Sequence, residues 1–211
     1  MGHEVTLQAI AVPSRLLNSV RDGTVDAELL VFVDYYFEAR RERGPRWDNF
    51  TKETAETYSP QRLLFAELLE QMYNEHSGID QRCCHLDRMY DWLRTALEWV
   101  AGPAGDVDFA TWCVGGEHPI AANARSTQGF PIMWNRPETC QMINLWLADV
   151  EVADVEAARD VEKLRYLNVY KIGQATDDDF VKDAVLQGFA DLKSFYQLIA
   201  EAGDGVIVDM D

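Results

Sequence analysis

The chain has 211 residues, 47% of them hydrophobic, and a formal net charge of −17. This apolar content excludes general disorder and predicts a single domain with a substantial buried core. No run approaches the roughly 18 apolar residues that a membrane span needs, and the N-terminus lacks the basic region that begins a secretory signal. The excess of carboxylates excludes nucleic acid as a partner, because phosphate binding needs concentrated Lys and Arg.

These exclusions predict a cytoplasmic protein that contacts neither membrane nor nucleic acid. The negative charge favours association with a basic protein partner, and the sequence carries no signal of oligomeric state. No cofactor is expected, because the chain has no dinucleotide fingerprint and no phosphate-binding loop. The cysteines lack paired spacing and an export signal, so we expect reduced thiols. They are Cys83, Cys84, Cys113 and Cys140.

The first part of the chain predicts one strand and several helices. A strand is expected at 5–12, followed by a short helix at 14–20 that ends before Asp22-Gly23. A helix at 26–41 is expected to end in the only basic cluster. The members of this cluster are Arg40, Arg41, Arg43 and Arg46. Ser59-Pro60 then predicts a helix start, because Ser is a favoured N-cap and Pro suits the first turn.

The stretch Cys83–Val100 predicts a central helix. Its apolar residues recur at three- and four-residue steps, so they share one face, and Asp91, Arg94 and Glu98 have the spacing of helical ion pairs. The Gly- and Pro-rich segment at 101–106 then marks a boundary between sub-regions.

The second half of the chain predicts more helices and a final strand. Thr176 is expected to begin the longest helix, and Asp179, three residues later, corresponds to the second residue of a capping box. Phe180 is expected on the buried face of this helix. The elements predicted after residue 106 are a short strand or helical turn at 107–114, a loop at 119–135, helices at 137–150, 154–167 and 176–202, and a strand at 205–209.

The two predicted strands lie at opposite ends of the chain and are separated by helices. The economical arrangement pairs the N-terminal and C-terminal strands in one small sheet that helices cover. We therefore predict a single, mostly helical α+β domain over residues 1–211.

Four segments of the chain together carry a resemblance to a known family. They are a strand directly after Met1-Gly2, the segment Leu86–Leu93, Gly115-Gly116 with Pro131 and Pro137-Glu138 after it, and the ending Leu192–Tyr196 with Ala202–Ile207. Together they resemble the YfbM-like proteins, a family of bacterial proteins grouped as a domain of unknown function. The resemblance implies a compact α+β domain without an established activity, so it transfers no catalytic residues to this chain.

One loop is the best candidate for a ligand pocket. Two glycines allow a close backbone approach to a ligand, and a carboxylate beside a histidine suits general acid–base chemistry. The same pattern is also typical of an ordinary turn. The residues of this candidate pocket are Trp112, Gly115, Gly116, Glu117, His118, Asn123, Arg125 and Trp134.

Metal binding is not predicted. Cys83, Cys84 and His85, with Cys113, His118 and Cys140 further along, could supply zinc ligands, but adjacent cysteines point in different directions and the spacing of zinc sites is missing. The acidic run at 177–179 is explained by the helix start that follows it.

Two functional hypotheses remain open at this stage. The first is a non-catalytic interaction protein, similar in role to an immunity protein or antitoxin, whose acidic surface neutralises a basic effector. The alternative is a small-molecule-binding protein or enzyme with its site in the 113–136 loop. The sequence holds no complete catalytic motif, so enzyme activity and catalytic residues are left unassigned.

Overall fold

A computed structural model describes residues 7–12, 14–26, 29, 60–75, 82–86, 89–102, 107–122, 124–126, 128–175 and 177–210. The strands are β1 (Leu7–Val12), β2 (Cys83–His85), β3 (His118–Pro119), β4 (Met133–Asn135) and β5 (Gly205–Met210). The helices are α1 (Ser14–Arg21), α2 (Pro60–Glu75), α3 (Tyr90–Ala101), α4 (Val107–Gly115), α5 (Pro137–Asp149), α6 (Val152–Ala158), α7 (Val161–Tyr166) and α8 (Asp178–Ala202).

The strands of the described residues form one antiparallel sheet in the order β2-β1-β5-β4-β3. The predicted pairing of the two terminal strands is confirmed, with a register that runs from Leu7 opposite Met210 to Val12 opposite Gly205. With helices making up most of the remaining structure, the predicted α+β class is also confirmed.

The start of the predicted central helix is wrong. Cys83–His85 is strand β2, paired with Ile10–Gln8 of β1, and the helix begins at Tyr90. Three residues span less than two periods of strand alternation, so this short strand depends on its partner rather than on a local pattern.

Helices cover both faces of the sheet. On one face, α1 and α2 supply Leu16, Leu17, Phe65 and Leu69 to a hydrophobic cluster that includes Ile207 of β5. The other face carries a larger cluster built from α3 to α8, and its strand members are Ala9, Cys84, Val206 and Val208. The alternation of Val206, Ile207 and Val208 between the two clusters follows from the two-residue period of a strand.

Helix α3 lies inside the larger cluster. It buries Trp92, Leu93, Ala96 and Leu97, as the three- and four-residue spacing predicts. The predicted ion pairs of its polar stripe are confirmed: Arg94 donates hydrogen bonds to Asp91 and, at 2.7 Å, to Glu98. Helix α3 is therefore a packing element of the larger hydrophobic cluster.

In the second half of the chain, several helix and strand boundaries in the structure differ from the predicted ones. Residues 107–115 form helix α4, and the predicted loop contains β3 and β4. The predicted helix at 154–167 is two helices, because Asp160 caps a new start by accepting a hydrogen bond from the Lys163 amide. Asp177 is the cap of α8, accepting from the amides of Asp179 and Phe180.

Some predictions lie on residues that the structure leaves undescribed. These are most of the helix at 26–41, the Arg40–Arg46 cluster, Ser59, Thr176, residues 103–106 of the predicted boundary, and Asn123 of the candidate pocket.

Candidate functional site

The predicted pocket residues begin at a tight turn after α4. The Gly116 amide donates to the Trp112 carbonyl at 2.9 Å, and Gly116 has a φ of +78°, a conformation that favours glycine. A Cβ added at Gly116 would lie 2.6 Å from Cβ of Met133. The glycine therefore allows the turn to pack directly against β4, and no ligand is needed to explain it.

Glu117 is held by groups from the start of α5. Its carboxylate is 5% exposed and accepts hydrogen bonds from Arg136 Nε at 3.2 Å and Thr139 Oγ1 at 2.6 Å. Burial opposes ionisation of this carboxylate, but the hydrogen bonds from Arg136 and Thr139 outweigh it and hold the pKa of Glu117 below its ordinary value. Glu117 is thus an ionised structural anchor that joins β3 to α5.

Replacing Glu117 with glutamine is expected to lower the free energy of unfolding by about 1–2 kcal/mol at pH 7, since hydrogen bonds to a charged group are lost while Arg136 can be solvated. Because the folded pKa is depressed, the contribution of the charge is complete above the ordinary pKa of 4.5 and disappears as pH falls through the lower folded pKa. Denaturant unfolding of both proteins between pH 7 and pH 3 should show the difference shrinking. A difference that stays constant over this range would contradict the anchor role.

The other predicted pocket residues do not converge on Glu117 as a group. His118 is exposed, with its Nε2 atom 3.2 Å from the Glu117 carboxylate. Arg125 is exposed and donates to its neighbouring Ala124 carbonyl. Trp112 packs against the larger hydrophobic cluster, whereas Trp134 belongs to the smaller one. The structure thus brings Glu117 and His118 together and separates the two tryptophans, and a ligand-binding role of this loop stays a prediction.

A buried polar network that the sequence did not reveal supports the same loop. The Asn135 amide nitrogen donates to the Trp112 carbonyl and to the Tyr196 hydroxyl, both at 2.8 Å, and Tyr196 donates to the Cys113 carbonyl at 3.1 Å. These bonds use carbonyls of the last turn of α4, and the Trp112 carbonyl also accepts from the Gly116 amide. Asn135 and Tyr196 therefore attach α4 to the sheet and to α8.

Three of the four cysteines are shielded from solvent. Cys84, Cys113 and Cys140 are buried thiols, whereas Cys83 is half-buried. Burial raises the pKa of Cys84 and of Cys140 to about 12, and that of Cys113 above its ordinary value as well. Thiols with such pKa values stay protonated at neutral pH, whereas the nucleophile is the thiolate. Within the described residues, no group of three His, Cys, Asp or Glu side chains could hold a metal ion.

A different surface carries exposed apolar side chains. We call residues 152–183, which span α6, α7 and the start of α8, the α6–α8 face. It holds four of the six large hydrophobic side chains that are exposed among the described residues. They are Val152, Tyr166, Leu167 and Phe180. Phe180, which the sequence placed on the buried side of α8, is 59% exposed, and Tyr166 is 89% exposed.

A groove of about 700 Å³ borders this face beside Phe180. Met89 and Trp92 at the start of α3 form one wall. Ala175, Phe180 and Ala184 contribute further apolar surface, and Lys171 and Asp183 bring one charge of each sign. The Trp92 indole donates to the Tyr170 carbonyl at 2.7 Å, and Asp91 accepts from the Tyr170 amide at 2.9 Å. These bonds hold the segment after α7 against α3 and so keep the groove in shape.

The α6–α8 face also carries many exposed carboxylates. The segment 152–183 contains eight acidic and five basic residues, and all eight carboxylate side chains are exposed. They belong to Asp154, Glu156, Asp160, Glu162, Asp177, Asp178, Asp179 and Asp183. Several are paired locally, as in Arg165 with Asp178 and Lys182 with Asp179. The α6–α8 face therefore combines exposed apolar side chains with an excess of exposed carboxylates.

The chain has an α+β fold in which helices cover both faces of a small sheet. Comparison with known proteins identifies its family and a solved structure of similar fold. A family model described as a domain of unknown function (DUF1877) matches residues 48–208, and the chain belongs to that family. The crystal structure of the protein of unknown function YfbM from Escherichia coli is similar in fold, with a TM-score of 0.56 and 13% sequence identity over 98% of this chain and 99% of that one. The predicted YfbM-like membership is confirmed.

Two further findings are negative. None of the curated proteins matches this sequence. Among the helices of the described part of the chain, none combines the length and apolar character that crossing a membrane requires.

Proposed function

We propose that this protein is a non-catalytic interaction protein that binds a basic segment of a partner protein through the α6–α8 face. The observation that carries the proposal is the concentration of exposed apolar side chains in this one segment, beside a groove that can receive a side chain. Exposed apolar groups that cluster and are rimmed by polar residues mark interaction sites, whereas scattered ones are ordinary.

The aromatic residues of the face are suited to this role. Tyr166 and Phe180 offer large contact areas and have few rotatable bonds, so their immobilisation on binding costs little entropy. The contrast with α5 is informative: its exposed Met142 and Leu145 are not accompanied by an exposed aromatic side chain. The first anchors of a partner are therefore expected at Tyr166 and Phe180.

The charge of the face indicates the chemistry of the partner. Exposed carboxylates attract a segment rich in Lys and Arg, raise its association rate and disfavour acidic competitors. The overall charge of −17 extends this preference to the whole molecule. Neutralisation of a basic effector, as immunity proteins and antitoxins perform it, is the specific form of this role that we propose.

Capture experiments with matched variants test the proposal. The tagged protein is used at low salt to capture partners from a lysate of the source cells, and the affinity of each recovered basic protein is then measured by calorimetry. Replacing Tyr166 and Phe180 with alanine should weaken binding roughly thirtyfold for each anchor that is a hot spot of about 2 kcal/mol. Raising the salt concentration should weaken binding further, because salt screens exposed charges.

Leu145→Ala is the matched control, since Leu145 is an exposed apolar residue of α5 outside the α6–α8 face. It should bind the partner like the unchanged protein. The proposal fails if no basic protein is recovered stoichiometrically at low salt, or if the recovered protein binds the Tyr166 and Phe180 variants as tightly as the control.

A further inference from the structure

A second cavity lies at the other end of α3 and has a different chemistry. Its volume is about 500 Å³, and it lies where α3 meets α6 and α7. Trp99 supplies an aromatic wall, and Ala157 and Ala158 supply small apolar groups. Asp154, Asp160 and Lys163 are the charged residues in its lining. An aromatic ring flanked by carboxylates is the combination that recognises organic cations.

The chain places its own cation in this cavity. The Lys163 ammonium lies 3.8 Å from the centre of the Trp99 ring, well within the roughly 6 Å at which a cation interacts with an aromatic face. The Lys163 side chain is exposed, so it can leave the ring for solvent without breaking a buried contact. The cavity therefore shows a cation-binding geometry, and the cation that occupies it is the chain's own Lys163.

We propose that the Trp99 cavity binds the guanidinium group of an arginine side chain, which displaces Lys163 from the ring. The origin of that arginine in a basic protein segment rests on the proposed function, whereas binding of the guanidinium itself does not. The planar guanidinium stacks on an indole and sheds water more easily than an ammonium. It also presents several donors in a fixed fork, which suits the two carboxylates of the cavity.

Electrostatics favours this exchange. With Lys163 on Trp99, the lining of the cavity holds two carboxylates and one ammonium, so the incoming guanidinium meets a net charge of −1 and is repelled by the ammonium. Once Lys163 turns to solvent, the two carboxylates are the charged groups that remain in the lining. Arg159 lies nearby in sequence, but its guanidinium is directed to Glu156 at 3.7 Å and Asp183 at 4.0 Å. Lys163 thus acts as an internal competitor that lowers the affinity of the cavity.

N-acetylarginine amide is the probe that tests the inference, with binding followed by the indole N–H signal of Trp99 in nuclear magnetic resonance spectra. Lys163→Ala should bind the probe about tenfold more tightly than the unchanged protein, which is the size expected for removal of a competing cation–π contact. Asp154→Asn should weaken binding in the Lys163→Ala background, because one attracting charge is lost. Trp99→Leu should abolish probe binding, and because this variant lacks the reporting indole, its binding is measured by calorimetry.

Lys171→Ala is the matched control, because the Lys171 ammonium lies 5.7 Å from the Tyr170 ring and lines the other groove. It should leave probe binding unchanged. The inference is overturned if the Trp99 signal of Lys163→Ala does not respond to the probe, or if Lys163→Ala and Lys171→Ala bind it equally. Phe180→Ala should bind the probe normally, so failure of the cavity and failure of the α6–α8 face are distinguished.

Discussion

Replacing Arg82 with alanine is expected to lower the free energy of unfolding by about 3–5 kcal/mol, the range for removing one partner of a buried ion pair. Arg82 directly precedes β2 and pairs with Asp204, which directly precedes β5. The two side chains are only 4% and 9% exposed. Without Arg82, Asp204 would remain buried without its counterion beside the sheet. Denaturant unfolding followed by circular dichroism measures the loss.

Two further variants show whether the buried charge is the cause. Arg82→Ala combined with Asp204→Asn should recover part of the lost stability, because the second change removes the uncompensated carboxylate. Arg15→Ala is the control, since Arg15 is an exposed cation that donates to Gln71. Its loss should cost at most about 1 kcal/mol, as for exposed polar contacts. Equal losses for Arg82→Ala and Arg15→Ala would contradict the role of the buried pair.

Replacing Gly116 with alanine is expected to cost about 2–5 kcal/mol. Two effects add: a positive φ costs a residue with a Cβ about 1–2 kcal/mol, and overpacking costs about 1–3 kcal/mol. The φ of Gly116 is +78°, and the added Cβ would meet Cβ of Met133 at 2.6 Å, where the strand backbone limits any movement. The same measurement of unfolding applies, and the midpoint should fall without a change in the denaturant slope.

Gly129→Ala separates the two effects. Gly129 has a similar φ of +88°, but an added Cβ would meet nothing within 4 Å. Its replacement should cost only the conformational part, about 1–2 kcal/mol. If both glycine variants lose the same stability, close packing of the Gly116 turn against β4 is not what requires glycine there.

Local sequence patterns were sufficient to predict much of the helical structure. The apolar spacing of α3, α5 and α8 predicted helices because each buries a face whose residues are three or four positions apart. The Pro60 and Pro137 starts were also predicted, because proline suits the first turn of a helix wherever that helix packs. The pairing of the terminal strands followed from having two strand patterns and few alternatives.

The short strands and the exposure of the α6–α8 face depended on contacts between distant residues. Strands β2 and β4 have three residues each, so their hydrogen-bonding partners, rather than their own sequence, determine them. Phe180 has the spacing of a buried residue, yet it is exposed, because no described element packs over that part of the start of α8. The α6–α8 face therefore could not be found from periodicity alone.

In the candidate loop, too, the sequence predicted some features and tertiary contacts decided others. Its sequence by itself determined that a carboxylate and a histidine follow a Gly-Gly turn, and that Glu117 and His118 lie close together. Only the tertiary structure placed Arg136 and Thr139 on Glu117, across a separation of 19 and 22 residues. Whether a carboxylate is free to bind a ligand or is held in an ion pair depends on the groups that the fold brings to it, and here those groups come from the start of α5 rather than from the Gly-Gly turn.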